Sequence, residues 1–269
     1  MRLIRETWAE LWRNNRGGGV LTLAFWYTVV TSLYQYLVAS RLGPSLPHSL
    51  ANLVNRPGTL TSLPHLPGSL WFKLVLVYLT FLVIVLPYTV AGLYGGIASA
   101  MRERPKFTGF LAFFRFGYLN FWRALGQIIT AIIYSCVALA LMIGVFAGLS
   151  VIGAHNAVFN AVALIVAVLV ALWLVGTLLY WFGRTFGTGS PSIQGFLPSM
   201  RWGFSHLGQL YGQILLLLGL LLAALYVAAL LARVIPLLGP ALLVLAIGMV
   251  APAFLATYAI LLFKRSANE

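Results

Sequence analysis

Residues 124–183 read ALGQIITAIIYSCVALALMIGVFAGLSVIGAHNAVFNAVALIVAVLVALWLVGTLLYWFG, and none of these sixty side chains is charged. As one helix, this run would extend about 90 Å, three times the roughly 30 Å thickness of a bilayer core. It therefore predicts two membrane-spanning helices with a turn between them. The polar and flexible residues 153–156, Gly-Ala-His-Asn, are where we expect that turn.

The composition of the whole chain predicts the same environment. Charged residues make up 8% of the sequence and hydrophobic residues 61%, with a mean hydropathy of +0.97. A soluble domain carries about 25% charged residues, so this chain has too little polar surface to face water. We expect an all-α polytopic membrane protein forming a single transmembrane domain over residues 1–269. Because Cys136 is the only cysteine, an intrachain disulfide is excluded.

Other charge-poor windows locate further spans. They cover residues 17–40, 74–101, 207–232 and 240–263, and each is long enough to cross a bilayer. Together with the two helices of the sixty-residue run, they predict six spans arranged as three hairpins. The N-terminus carries Glu6 and Glu10 among its arginines and leads into an apolar run of about twenty residues, so we interpret it as a retained first span rather than a signal peptide.

Six spans place both termini on one side of the membrane, and that side then holds thirteen of the seventeen bases. All four acids, which are glutamates, fall there too. By the positive-inside rule this side is cytoplasmic, which predicts a multi-pass protein of a bacterial-type plasma membrane. The thirteen bases are Arg2, Arg5, Arg13, Arg16, Arg102, Arg104, Lys106, Arg115, Arg123, Arg184, Arg201, Lys264 and Arg265.

An internal repeat divides the chain. Residues 105–128 read PKFTGFLAFFRFGYLNFWRALGQI, and residues 191–214 read PSIQGFLPSMRWGFSHLGQLYGQI. At an offset of 86 without a gap, the Pro, the Gly-Phe-Leu, the Arg, the Gly and the Gly-Gln-Ile coincide. This match predicts a duplication, with units at about 1–104, 105–190 and 191–269. The first unit is assigned from its architecture only.

The repeated segments have the pattern of short amphipathic helices at 107–122 and 193–207. We expect them to lie in the cytoplasmic interface with aromatic rings at headgroup level. Arginine side chains there reach toward lipid phosphates. The predicted headgroup contacts are Arg115, Arg123, Arg184 and Arg201.

Few polar or kinked positions fall within the predicted spans. Gln127 and Gln213 each lie about a turn inside the cytoplasmic boundary, where an unpaired amide is costly, so we expect both to hydrogen bond to other helices. An alternative is that they line a substrate path. Pro87 and Pro252 are expected to kink their helices, and each kink either improves packing or lines a cavity.

The only long predicted loop, residues 41–69, lies on the outer side and is rich in proline. With Arg41, Arg56 and Lys73, it could attract an anionic ligand or headgroup. A lid and a stiff tether are both consistent with it.

The sequence argues against most chemistry. It has no Asp, and no carboxylate within a predicted span for acid–base work or ion coupling. It also lacks the phosphate-binding, hydrolase and metal motifs. His48, His65 and His155 share the outer side, but no ligand spacing links them. We therefore expect no enzymatic activity, no cofactor, no metal and no nucleic-acid partner.

The repeated Pro-x-x-x-Gly-Phe-Leu, with Arg115 or Arg201 before the next span, resembles the membrane domain fused to some bacterial glycerophosphodiester phosphodiesterases and its free-standing relatives. The resemblance implies a six-helix fold and a membrane location. The phosphodiesterase activity of those proteins belongs to a separate soluble barrel with acidic metal ligands. This chain has neither, so the activity is not carried over.

Two functions remain consistent with these features. The first is a non-catalytic subunit or accessory of a membrane assembly or transporter, with a basic inner face for anionic lipids and a partner subunit. The alternative is a permease or lipid-handling protein with a path between the repeated units, along which Gln127, Gln213, Pro87 and Pro252 would lie.

The orientation is testable by cysteine labelling in a Cys136→Ser background. We expect a cysteine at Arg56 to react with an impermeant thiol reagent added outside intact cells, and one at Arg104 to react only after permeabilisation. The reverse pattern would show that the orientation is wrong.

Overall fold

A computed structural model describes residues 2–14, 19–42, 68–103, 109–153, 157–189, 192–234 and 246–267. Almost all of these residues are helical, which confirms the all-α class. In chain order, the helices are α1 (Arg2–Asn14), α2 (Gly19–Leu42), α3 (Gly68–Thr80), α4 (Leu86–Glu103), α5 (Gly109–Leu119), α6 (Phe121–Gly153), α7 (Ala157–Thr188), α8 (Ser192–Ser205), α9 (Leu207–Val234) and α10 (Ala251–Ser266). Two π-helical segments, π1 (Phe81–Val85) and π2 (Ala246–Val250), lead into α4 and α10.

Several helices are long and apolar enough to cross a membrane. Within the described ranges they number four, or five if one bent pair of helices counts as a single span. The four are Val75–Arg102, Phe121–Gly144, Ala161–Thr188 and Gly248–Ser266, and the bent pair joins Gln194–Ser205 to Leu207–Ala223 at 92°. The chain is thus a membrane-embedded helical protein. Helix α2, at the position of the first predicted span, is not among the four.

The centre of the molecule is the contact between α7 and α10. Gly183 lies directly against the backbone of α10: a Cβ added at this position would overlap the Ala259 carbonyl and sit 3.0 Å from the Ile260 nitrogen. Only glycine permits this approach, as at close helix crossings in membranes generally. Helix α4 packs against both α7 and α10, so these three helices form the core.

The other helices surround this core in a repeating arrangement. Helix α1 packs on α10, α5 on α4, and α8 on α7. Helix α2 contacts α4 and π2, α6 contacts α4 and α7, and α9 contacts α7. Each of α1, α5 and α8 therefore covers one of the three core helices.

Helix α1 is amphipathic. Its buried face consists of Leu3, Thr7 and Leu11, which are spaced four residues apart. The rings of Trp8 and Trp12 are about half exposed, and Trp8 contacts Phe254 of α10 with 6.0 Å between ring centroids.

The two π-helical segments arise at the predicted proline kinks. Proline has no N–H for the carbonyl four residues earlier, so the helical ladder shifts by one residue before Pro87 and before Pro252. The carbonyl that Pro252 leaves without its usual donor belongs to Gly248, and the Thr28 hydroxyl of α2 donates to it. A neighbouring helix thus satisfies the polar group that the proline frees.

Replacing Gly183 by Leu should destabilise the fold strongly, because α10 cannot move away from α7 without opening the core. We expect a loss of about 3 kcal/mol or more, beyond the usual cost of overpacking, seen as a lower thermal midpoint in detergent. Gly144→Leu is the matched control, since a side chain there meets no atom within 4 Å. Equal midpoints for the two variants would contradict the α7–α10 contact.

Candidate functional site

An apolar groove opens between π1, α4, α6 and α7. Its volume is about 410 Å³, within the range of ligand-binding pockets. The Ser135 hydroxyl and the Cys136 thiol are the polar groups among its lining side chains, and Cys136 is exposed. The lining residues are Leu82, Leu86, Ile128, Ala131, Ile132, Ser135, Cys136, Leu139, Leu178 and Phe182.

The wide turn of π1 forms one wall of this groove. Leu82 belongs to π1 and Leu86 begins α4, directly before the buried Pro87. The Pro87 kink is therefore beside a cavity, whereas the polar group freed at Pro252 is bonded by Thr28 in helix packing. Of the two alternatives, a kink beside a cavity applies to Pro87, and a kink that serves helix packing applies to Pro252.

Gln127 lies one helical turn before the groove residue Ala131. Its side chain is fully buried, and neither its Nε2 nor its Oε1 has a hydrogen-bond partner among the described residues. The expected bond to another helix is therefore not seen. Each buried polar atom left unpaired costs about 1–3 kcal/mol, so Gln127 is a strained feature of the core.

Gln213, the counterpart of Gln127 in the predicted repeat, is placed differently. Its Oε1 accepts a hydrogen bond from the Tyr258 hydroxyl at 2.7 Å, which joins α9 to α10. The sequence predicted an interhelical bond for Gln213 but not its partner. Tyr258 is almost fully buried, and the amide satisfies its hydroxyl there.

Two of the predicted headgroup arginines lie on exposed helix faces. Arg115 of α5 is flanked at helical spacing by the exposed Leu111 and Tyr118, and Arg201 of α8 by Leu197 and Phe204. Large apolar side chains exposed beside an arginine are typical of a helix at a membrane interface.

The other two predicted arginines are half-buried. Arg184 lies under α8, with its Cδ 3.7 Å from the position that a Cβ of Gly195 would take. Arg123 donates from Nη1 to the Asn120 Oδ1 at 2.9 Å. This hydrogen bond and the partial burial of Arg123 hold its guanidinium more firmly than the guanidinium groups of the exposed Arg115 and Arg201.

The structure adds one residue that the sequence reasoning missed. Arg102, at the end of α4, donates to the carbonyl of Gly187 in α7. Its positive charge lies close enough to that of Arg123 to repel it. The sequence used Arg102 only as one of the thirteen cytoplasmic bases. Its position as the first base after the charge-free window 74–101 was a signal that a span ended there.

The predicted outer anion site is largely outside the described residues. Lys73 is exposed on α3, but the Arg41 side chain, Arg56 and residues 43–67 fall outside, as do His48, His65 and His155. A lid and a tether therefore both stay predictions for the loop at 41–69. Among the residues that were described, no group of three His, Cys, Asp or Glu side chains could hold a metal ion.

Comparison with protein families, with curated proteins and with solved structures gave no match. The resemblance to the phosphodiesterase-fused membrane domain stays a prediction.

Gln127→Leu should stabilise the protein, because it replaces an unpaired amide by an apolar group of similar size. We expect a gain of about 1–3 kcal/mol, measured as a higher thermal midpoint in detergent. Gln213→Leu is the matched variant and should lose about 1 kcal/mol, since it leaves the Tyr258 hydroxyl unpaired. If Gln127→Leu proved the more damaging of the two, the Gln127 amide would have a partner, and its description as unpaired would be wrong.

Proposed function

We propose that this chain is a non-catalytic membrane protein with six spans in three hairpins, acting as a subunit or accessory of a larger membrane assembly, such as a transporter. Four or five of the spans rest on helix length and composition. The sixth is α2, whose 24 residues extend about 36 Å, enough to cross a bilayer core. With both termini cytoplasmic, its setting is a plasma membrane of bacterial type.

The environments of equivalent residues support the internal repeat. At the offset of 86, Gly117 and Gly203 are both buried, and Leu111 and Leu197 are both exposed. A helix break falls at Asn120 in one copy and at His206 in the other.

The packing of the interfacial helices extends this support to the first unit. Helices α5 and α8 each cover the last helix of the unit before them, which is α4 for α5 and α7 for α8. Helix α1 covers α10, the last helix of the third unit. Three units in cyclic order would produce this arrangement. We therefore propose that the first unit is a third copy, although its sequence does not align.

The observation that carries the subunit role is the outer face of α9. Gly208, Gly212 and Gly219 lie within about 40° of one another around the helix, and a Cβ at any of them would meet no atom within 4 Å. The opposite face, with Leu210 and Ile214, packs on α7. Small residues at such spacing allow a second membrane helix to approach closely, so we propose that a partner helix docks here.

A second candidate function is the handling of lipids or other apolar molecules, and the groove beside π1 favours it. Its walls come from the first two units, as a path between repeated units requires. Gln127 lies near its cytoplasmic end. In this alternative, the protein binds its ligand in the groove, and the outer face of α9 has no role in that function.

The docking face can be tested with Gly212→Leu, which should weaken the association with the partner about tenfold or more by overfilling the contact. The measurement is native mass spectrometry of protein purified from native membranes in mild detergent, with the complex quantified against the free chain. Ala171→Leu, at an exposed position of α7, is the control and should leave the complex intact.

The same experiment distinguishes the two functions. A wild-type complex of fixed stoichiometry that is lost in Gly212→Leu supports the subunit role. A lone chain in every preparation would contradict it. Lipid handling would be favoured if the lone chain retained a bound lipid and the variant Ala131→Trp, which fills the groove, lost that lipid.

A further inference from the structure

Three helix ends converge at one point on the membrane surface. They are the end of α4 at Arg102, the beginning of α6 at Arg123, and the end of α7 at Gly187. Each of these helices contains a segment apolar enough to span a membrane, and Arg102 and Arg123 lie in the end turns of those segments. The convergence point is therefore at the boundary between the hydrocarbon core and the headgroups.

Both arginines are held in place there. The Arg102 guanidinium donates to the Gly187 carbonyl, and Arg123 donates to the Asn120 Oδ1. Nη1 and Nη2 of Arg123 are also 3.9 Å from the position of a Cβ on Gly189, the residue with positive φ that ends α7. A guanidinium has five N–H donors, so each retains donors for a further ligand.

The positive charge at this point exceeds what its surroundings offset. The carbonyl ends of α4 and α7 each supply the equivalent of about −0.5 charge and the beginning of α6 about +0.5, so with the two arginines the sum is roughly +1.5. Glu6 and Glu10 form ion pairs with Arg2 and Arg13 on α1. Only two other acids, Glu103 and Glu269, stand against the remaining fifteen bases (17 − 2) of the chain. The chain therefore has few carboxylates to offset this charge, which favours an anion from outside the chain.

The depth of the arginine pair identifies the source of that anion. Trp122, beside Arg123, is 78% exposed, and exposed tryptophans lie at the level of the lipid headgroups. The anion present at that level is the phosphodiester of a phospholipid. Fixed guanidinium groups bind phosphate oxygens through paired, charge-assisted hydrogen bonds.

We propose that Arg102 and Arg123 together bind the phosphate of one anionic glycerophospholipid, in the leaflet at which α4 and α7 end. The lipid bridges two consecutive units of the chain, because Arg102 belongs to the first and Arg123 to the second. This site is separate from the groove and from the docking face of α9, so it holds whichever function is correct.

The test is a titration of the purified protein with dioleoyl-phosphatidylglycerol, with bound lipid counted by native mass spectrometry. We expect one molecule to bind in a saturable step, and dioleoyl-phosphatidylcholine to bind at least about tenfold more weakly. The double variant Arg102→Gln/Arg123→Gln should weaken that step about tenfold or more. The control Arg5→Gln/Arg233→Gln removes the same charge from exposed positions of α1 and α9 and should change the affinity by less than about threefold.

A variant that retains the charge guards against misfolding. Arg102→Lys/Arg123→Lys keeps both positive charges but loses the planar donor pairs, so it should weaken the step several-fold, while Arg5→Lys/Arg233→Lys should not. Equal losses in the site and control variants would reduce the binding to diffuse surface charge and overturn the site. Full displacement of the lipid by millimolar inorganic phosphate would overturn the assignment to a lipid headgroup.

Discussion

The structure depends on one requirement: inside a bilayer, every backbone N–H and C=O must find its partner within the protein. Helices meet this requirement except where a proline interrupts them. At Pro87 and Pro252 the ladder changes to a π-helical segment, and at the second of these a hydroxyl from α2 takes the carbonyl that the proline frees. This bond joins α2 to π2, which leads into α10. The corresponding segment before Pro87 forms the wall of the groove instead.

Close packing of helices without polar groups explains most of the remaining architecture. Gly183 lets α7 and α10 touch backbone to backbone, and Gly117 and Gly203 let two short helices settle on the core helices beneath them. Apolar side chains such as Tyr226 and Leu164 remain exposed on the outer surface, as expected for a surface solvated by lipid. Among the described residues, the Gln213 amide accepts a hydrogen bond from Tyr258, whereas the Gln127 amide, 86 residues earlier, has no partner.

The sequence alone was sufficient for the helical class and the membrane setting, because absence of charge over sixty residues leaves no other solvent than lipid. It also located the helix ends near residue 153 and the two prolines that perturb their helices. It could not reveal that Arg102 reaches α7 or that Gln127 lacks a partner, since both depend on how distant helices face one another. Nor could it separate the roles of the two prolines, which differ only in what lies beside each freed carbonyl.

Helices α2 and α9 are proposed to be full membrane spans, and they are the helices for which length and composition are least decisive. The most direct test places nitroxide spin labels at Leu33 of α2 and Leu222 of α9, both exposed positions, in protein reconstituted into bilayers. Collisions with molecular oxygen and with a water-soluble nickel chelate then report whether each label lies in hydrocarbon or in water. Six spans predict that oxygen dominates at both positions. A label at either position that collides mainly with the nickel chelate would contradict the six-span bundle.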